Sequence, residues 1–390
     1  MIAVAVVGIG VDGWEGLSPA AKAEVEAAQV LMGNARQLEM VPGGFERVTW
    51  PSPMLPALPG LFETHRHRRV CVLASGDPMF HGIGSTLVRM LGADRVRVVP
   101  HPSSVSLACA RLGWAVDDVE VVSMVGRPAE LLHPVIHPGR RILVLGSTPA
   151  SVADLLAERG YGDSKLTVLE RLGGPGERVH TDLSYVDPLH VLAVECVGTK
   201  VLSRVPGLPD DAFEHDGQIT KREVRAISLA QLAPAPGQLL WDVGAGAGSI
   251  AIEWARVHPS CRAIGVESHP ERAERIGRNA RALGVPGVHV VVGKAPEALE
   301  DLERPSAVFI GGGLTAPGVL AACWDALLPG GRLVANAVTM ESETVIAAWH
   351  PRLGGDLTRI AVNRASPVGG FTGWRPHMPV TTWAVTKPVD

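Results

Sequence analysis

The stretch from Leu239 to Glu253, LLWDVGAGAGSIAIE, constrains what this chain can fold into more tightly than any other. An apolar run of strand character ends in Asp242 and meets glycines at three alternate positions, Gly244, Gly246 and Gly248. Ile250, Ile252, Trp254 and Val257 then carry on as an apolar helix. Strand, glycine turn and helix in this order bring the backbone to the carboxyl edge of a parallel sheet, where residues without a Cβ let it pass close to a ligand. Further apolar runs at 262–266, 288–292, 306–310 and 331–336 alternate with helical segments such as Pro270 to Leu283, which Gly284 ends. Such β-α alternation predicts a parallel, doubly wound α/β sheet. Leu357–Val362 and Val380–Val385 flank an aromatic, proline-rich loop, Phe371–Pro379, and are expected as an antiparallel pair at the sheet edge.

Spacing and charge narrow the ligand of this half. The glycines fall as GxGxG, not GxGxxG, and a carboxylate at Asp242 suits a cationic, amino-acid-bearing ligand better than a pyrophosphate. Glu267 ends the next strand nineteen residues after Gly248, placed to take both hydroxyls of a ribose. After the third strand, Gly293-Lys294-Ala295-Pro296-Glu297 offers small residues, Ala295 among them, that can frame an adenine. Each feature alone is equally well a tight turn with a solvated acid. Together, at the ends of three consecutive strands, they point to S-adenosylmethionine held by Asp242, Gly244, Ala245, Gly246, Gly248, Glu267 and Ala295.

The first half has the same grammar with different punctuation. Residues 2 to 7 read as a strand buried on both faces, followed by Gly8-Ile9-Gly10-Val11-Asp12-Gly13. These letters match GxGxxG, but Trp14-Glu15-Gly16-Leu17 intervenes before the main helix, which starts with Ser18 as N-cap and Pro19 at its first position. A dinucleotide site is therefore not expected. Arg69–Ala74 forms a strand that runs into Ser75-Gly76-Asp77-Pro78, and Arg95–Val99 another that runs into Pro102-Ser103-Ser104 and a helix to Leu112. Gly10, Asp77 and Ser104, one on each of these turns, are candidates for a second cofactor site, with helix capping as the alternative for Asp77. More strands are expected near 119–124, 141–145, 165–172 and 190–196. From Val197 to Gly217 the periodicity fades into proline, glycine and acid, so the domain boundary is placed there: residues 1–205 and 206–390.

Composition excludes several classes. The 390 residues carry a net charge of −4, which disfavours a broad nucleic-acid footprint. Five scattered cysteines without a CxxC pair read as small buried hydrophobes of a reducing, cytoplasmic compartment, not as metal ligands. No apolar run approaches the ~18 residues of a membrane span, and the apolar start lacks the basic flank of a signal peptide. Neither a Ser-His-Asp set nor a metal-ligand cluster is evident, so no catalytic side chain is singled out.

A resemblance now adds to these readings. Residues 217–340 look like the class I methyltransferase fold, and GQITKREVRA, DVGAGAGSIAIEWAR, GKAPE and FIGGG resemble the decarboxylating precorrin methyltransferases of cobalamin biosynthesis, which act at tetrapyrrole C15. Residues 1–200 resemble the unrelated tetrapyrrole methylase family through VVGIGVDG, LASGDPMFHGIG, HPSSVSLACARLGW and STPASVADLLAERGYGDSKLTVLERLGGPGERV, with Val11 where that family usually has proline. The two in this order are similar to bifunctional precorrin methyltransferases. The resemblance implies a tetrapyrrole methylase fold of two α/β subdomains followed by a Rossmann-like domain, with one S-adenosylmethionine site in each. It implies methylation at C5 by the first half, and methylation at C15 with loss of CO2 from the C12 acetate by the second. The substrate would be a tetrapyrrole fringed with acetates and propionates, and a homo-oligomer is expected.

Lys221, Arg222 and Arg225 are candidates to hold those carboxylates, with solvated charges on a first helical turn as the alternative; cations there oppose the helix dipole, which mildly favours a functional reason. Thr220 is expected to cap that helix in a T-x-x-E box with Glu223, and the resemblance implies that it also touches the cofactor. Three rival readings are a class I enzyme acting on RNA or protein, a cofactor-binding scaffold with one inactive half, and an NAD-dependent dehydrogenase. The bare Phe309-Ile310-Gly311-Gly312-Gly313 loop speaks against the first, since enzymes that methylate amino groups often carry an Asn/Asp-Pro-Pro-aromatic run there. Glycine spacing and helix placement speak against the third.

Overall fold

The structure, a computed structural model, describes residues 4–389. The chain divides into two compact units. One comprises the chain up to Ala129 together with His137–Lys200, and the other Glu130–Ile136 together with Val201 onward.

The first unit contains two sheets. Strands β1 (Val4–Ile9), β2 (Val30–Gly33), β3 (Glu46–Thr49), β4 (Val70–Ser75) and β5 (Val96–Val99) pair in the order β3-β2-β4-β1-β5. Every pairing is parallel. Central β1 and β4 are buried along nearly their whole length, which is why their sequences are apolar without alternation. The second sheet takes β6 (Val119–Ser123), β7 (Arg141–Leu145), β8 (Lys165–Glu170), β9 (Arg178–His180) and β10 (His190–Glu195) in the order β6-β7-β10-β8-β9. Only β6–β7 is parallel there. Local chemistry sets the helix starts, after Ser18 as read from sequence and after Ser103, one residue before the expected start at Val105. Ser18 Oγ accepts the Ala21 N–H ahead of the helix Pro19–Glu26, and Ser103 Oγ accepts the Ser106 N–H ahead of Ser104–Leu112. One short helical turn, Gly13–Gly16, precedes the first of these. Strands β2, β3 and β9 have no counterpart in the sequence reading.

The second unit is a seven-stranded sheet of β11 (Leu239–Val243), β12 (Arg262–Glu267), β13 (His289–Val292), β14 (Ala307–Ile310), β15 (Arg332–Ala337), β16 (Asp356–Ile360) and β19 (Val380–Thr386). Its order is β13-β12-β11-β14-β15-β19-β16, with β19 antiparallel to both neighbours. The expected edge pair is therefore present. The loop expected between those two strands instead folds as a hairpin of β17 (Asn363–Val368) and β18 (Phe371–Pro376). The chain order reverses between β11 and β14, and such a switch point opens a crevice at the carboxyl ends of the strands. Trp241, Trp254 and Trp383 are fully buried on the faces of this sheet.

Two local expectations are corrected. Thr220 and Glu223 form no capping box: the helix Arg222–Leu232 has Lys221 at its N-cap with no side-chain cap, because Glu223 is drawn to Arg364 of the hairpin at 2.6 Å. The stretch read as linker is packed instead. Leu208 and Phe213 join the core beside Trp254, and the backbone carbonyls of Leu202 and Ser203 accept from Arg256. Proline and acid mark irregular backbone, which here is a strap held down by side chains from the domain that follows.

Candidate functional site

At the switch point of the second unit lies a cavity of about 740 Å³. Its floor is the turn after β11. Gly244 has φ +70°, and a Cβ there would stand 2.6 Å from Gly312 Cα, so the turns after β11 and β14 meet at a distance only glycine allows. Gly244, Ala245 and Gly246 line the cavity, as do Glu267 after β12, Gly293 and Ala295 after β13, and Gly311–Gly313 after β14. Gly248 does not. It is buried at the helix start, where a Cβ would lie 2.6 Å from Ile276 Cγ2, so its role is packing and not ligand approach.

The two acids of the site differ. Glu267 accepts the Gly246 N–H at 2.8 Å with one oxygen and the His269 N–H at 3.0 Å with the other. Oε1 also accepts the Ser268 hydroxyl at 3.4 Å, so the lone pair left for a ligand hydroxyl is on Oε2. Asp242 lies behind the turn, 1 % exposed, and accepts the Ala251 N–H at 3.0 Å. Burial pushes its pKa up to about 7, with the neighbouring Glu267 charge adding to the effect. Asp242 therefore acts on the cavity through the turn it supports and is not itself part of the lining.

The wall opposite comes from Gln218, Thr220, Lys221 and Glu223, and the far end from Asn336, Val362, His377 and Met378. Asn336 Nδ2 donates to Ser228 Oγ at 3.0 Å, while its Oδ1 is buried with no protein donor. Asp216 receives Arg272 at 2.8 Å and the Gln218 N–H at 3.1 Å, and these bonds hold its carboxyl well below the usual range. Of the three cations read as carboxylate holders, only Lys221 lines the cavity. Arg222 is exposed away from it. Arg225 is corrected outright: it is fully buried, with its donors spent on Glu253, Asp210 and the carbonyls of Thr220 and Leu208. A buried apolar-face position and a first-turn surface position look alike until the strap that covers one of them is known. Lys294 and Gly311–Gly313 belong to turns the sequence singled out, whereas Asn336 and His377 carried no local signal.

In the first unit a smaller cavity of about 330 Å³ is lined by Gly8, Gly10, Asp12, Gly16, His101 and Gly173, among others. A Cβ on Gly8 would lie 2.1 Å from the Gly76 carbonyl oxygen and 2.7 Å from His101 N, so the turns after β1, β4 and β5 converge on one another. His101 Nε2 stands 3.4 Å from Asp12 Oδ1. Of the three candidates, Gly10 lines this cavity. Ser104 starts a helix beside Gly76, whose Cβ would be 3.7 Å from Ser104 N, and lies outside the lining. Asp77 Oδ1 accepts the Met79 N–H at 2.8 Å, closing a local turn, and the following helix starts only at Ile83. Among the described residues no cluster of histidine, cysteine or acid could hold a metal ion, and no helix is long and apolar enough to cross a membrane.

Comparison with known proteins follows the same division. Residues 3–186 match the model of the tetrapyrrole (corrin/porphyrin) methylases, and residues 211–387 that of the precorrin methyltransferase domain. A curated relative from Sinorhizobium sp., a precorrin-6Y C(5,15)-methyltransferase [decarboxylating], is 50% identical over 98% of this chain and 96% of its own length. Two others align with less than half of the chain. A cobalt-precorrin-7 C(5)-methyltransferase of Salmonella typhimurium is 34% identical over 45% of this chain and 88% of its own. A probable cobalt-precorrin-6B C(15)-methyltransferase (decarboxylating) of Saccharolobus solfataricus is 35% identical over 35% of this chain and 72% of its own.

Proposed function

Because this chain belongs to the family of decarboxylating precorrin-6Y C5,15-methyltransferases, we propose that it methylates precorrin-6Y, the reduced precorrin-6, at C5 and C15 and releases the carboxyl of the C12 acetate as CO2, giving precorrin-8 in cobalamin biosynthesis. Residues 1–205 are assigned C5 methylation, and residues 206–390 C15 methylation and decarboxylation. The existence of relatives that carry one activity each and match under half of the chain supports this division. The observation that carries the reading is the glycine turn after β11 with Glu267 on the adjacent strand, both in one large cavity at the sheet's switch point.

The methyl donor of the family is S-adenosylmethionine, and two sites are proposed, one per unit. In the second unit Glu267 would take the ribose hydroxyls, Ala295 would frame the adenine, and the backbone of Gly244–Gly246 would approach the amino-acid part. When bound, this group supplies a methyl on a positively charged sulfur, open to in-line attack by a carbon. The chain's own part is alignment, which can be worth ~7–11 kcal/mol without any protein nucleophile. Gly311–Gly313 leaves room for a flat macrocycle, and Lys221 and Lys294 reach its carboxylates. Asn336 Oδ1 awaits a donor from what fills the cavity. In the decarboxylation the bond between the acetate methylene and its carboxyl breaks, the electron pair enters the electron-poor macrocycle, and a proton replaces the carboxyl. In the first unit Gly10, Asp12 and His101 would line the second donor site, with Asp77 and Ser104 shaping its loops. Self-association is part of the same proposal, supported by the exposed Phe371 and Trp374 on the hairpin.

Purified chain incubated with reduced precorrin-6 and S-adenosylmethionine is expected to yield a product heavier by two methyl groups and lighter by one CO2. Mass spectrometry showing neither change would remove the reading.

A further inference from the structure

The residue that sequence placed at the substrate has a different task. Arg225 is 0 % exposed and uses every arm of its guanidinium. Its Nε donates to Glu253 Oε1 at 2.6 Å, and Nη1 to Asp210 at 3.2 Å and to the Thr220 carbonyl at 2.5 Å. Nη2 donates to the Leu208 carbonyl. Glu253 completes the set by accepting the Gly207 and Leu208 N–H groups at 2.5 and 3.1 Å. The ring of Phe213 lies under the guanidinium, 4.8 Å from its carbon. Arg364 of the hairpin then ties Asp210, at 3.6 Å, to Glu223, a lining residue of the cavity.

This network grips the strap at both ends of its irregular course. Between the gripped points run Gly217, Gln218, Ile219 and Thr220, which form one wall of the cavity. The Gln218 carbonyl is set so close to the glycine turn that a Cβ on Gly246 would be 2.9 Å from it. Moving the strap therefore moves the wall against the turn that approaches the methyl donor. We infer that Arg225 is a positioning residue for methyl-donor binding in the second unit, acting through the Thr220 carbonyl and the strap and touching neither donor nor substrate. The inference rests on the proposed S-adenosylmethionine site. Lysine in this place keeps the charge but has no fork to hold four acceptors in one plane.

The test uses the full chain and separates the two methylations by product mass. Arg225→Lys is expected to raise the KM for S-adenosylmethionine in C15 methylation by about tenfold or more, the scale of one lost charged hydrogen bond. The kcat at saturation and the C5 reaction stay near wild type. Asp210→Asn and Arg364→Ala, at less buried points of the network, are expected to raise the same KM by smaller factors. Leu320→Ala, a core change away from the strap, should lower the melting temperature and leave the KM alone. An unchanged KM in folded Arg225→Lys, or a fall in kcat alone, overturns the inference. If Arg225→Lys does not fold, unchanged KM values in both Asp210→Asn and Arg364→Ala overturn it. Should the wild-type chain transfer no methyl group at all, it is the cofactor reading that fails.

Discussion

Both cavities open where parallel strands end, and both are floored by glycines, but they differ in what holds the glycine turn in place. In the first unit the turn after β1 is wedged by backbone: the Gly76 carbonyl and His101 N leave no space for a Cβ on Gly8. In the second unit the Gly312 backbone wedges Gly244 in the same way, and carboxylates hold the turn besides. Glu267 binds it from the side and Asp242 supports it from beneath through the Ala251 N–H. A backbone wedge tolerates almost no change of shape, while a carboxylate support makes the site respond to charge. The same grammar of strand, glycine and helix thus yields one site set by sterics and one set by electrostatics as well.

The largest effects should come from exchanging the glycines that make each close approach. Gly8→Ala is expected to abolish C5 methylation and spare C15, and Gly244→Ala to do the reverse, read from the mass of the accumulated intermediate. Loss of both reactions in either variant would mean that the units do not work as separate sites.

Asp242 comes next. Asp242→Ala should lower C15 methylation about 100-fold by leaving the Ala251 N–H unpaired and the turn unsupported, with C5 methylation still measurable. The same residue predicts a pH effect of definite sign. Its folded pKa, about 7, lies above the ordinary 3.8, so between these values the folded chain holds a proton that the unfolded chain releases. The contribution of this group to stability is full below the ordinary pKa and declines as the pH rises to about 7, by on the order of 4 kcal/mol. Asp242→Asn, which can still accept from Ala251, should remove that slope from urea unfolding curves compared with wild type. Parallel slopes for the two proteins would show that the buried carboxyl is solvated after all.

Smaller changes are expected at the remaining polar groups. Glu267→Gln keeps one acceptor oxygen and should raise the S-adenosylmethionine KM of the C15 reaction about tenfold, by loss of a charged hydrogen bond. Asp12→Asn in the sterically built site should alter the C5 reaction by no more than about threefold, since the amide keeps an acceptor oxygen that can face His101 Nε2. A large effect of Asp12→Asn on C5 kinetics would erase the contrast between the two sites.

Much of this molecule was legible in order along the chain. The glycine turn after β11, the acid at the end of β12 and the small residues after β13 were readable because strand ends and tight turns leave short-range marks. The helix start at Ser18 was readable for the same reason. The short strands β2, β3 and β9 were not, since each has only three or four residues and too little pattern to separate from loop. The stretch Val197–Gly217 reads as a linker because irregular backbone has the same composition whether it is solvated or pinned by Glu253, Arg225 and Arg256. Arg225 itself reads as a holder of substrate carboxylates, since four residues along a helix decide little until the covering segment is in place. Asn336 and His377 reach their cavity from elements whose own sequences carry no sign of it.

The sequence by itself determined the α/β class, the two glycine turns and the pairing of two methylase types, because these rest on periodicity, on residues without a Cβ and on motifs a few positions long. Only the tertiary structure decided which charges face the cavity and which are buried beneath it. Burial and pairing depend on segments far apart in the chain: Glu253 with Gly207, Arg364 with Glu223 and Asn336 with Ser228. A carboxylate or guanidinium has the same letter in water and in the core. Its role follows from the solvent it loses and the partners it gains, and these are properties of the fold.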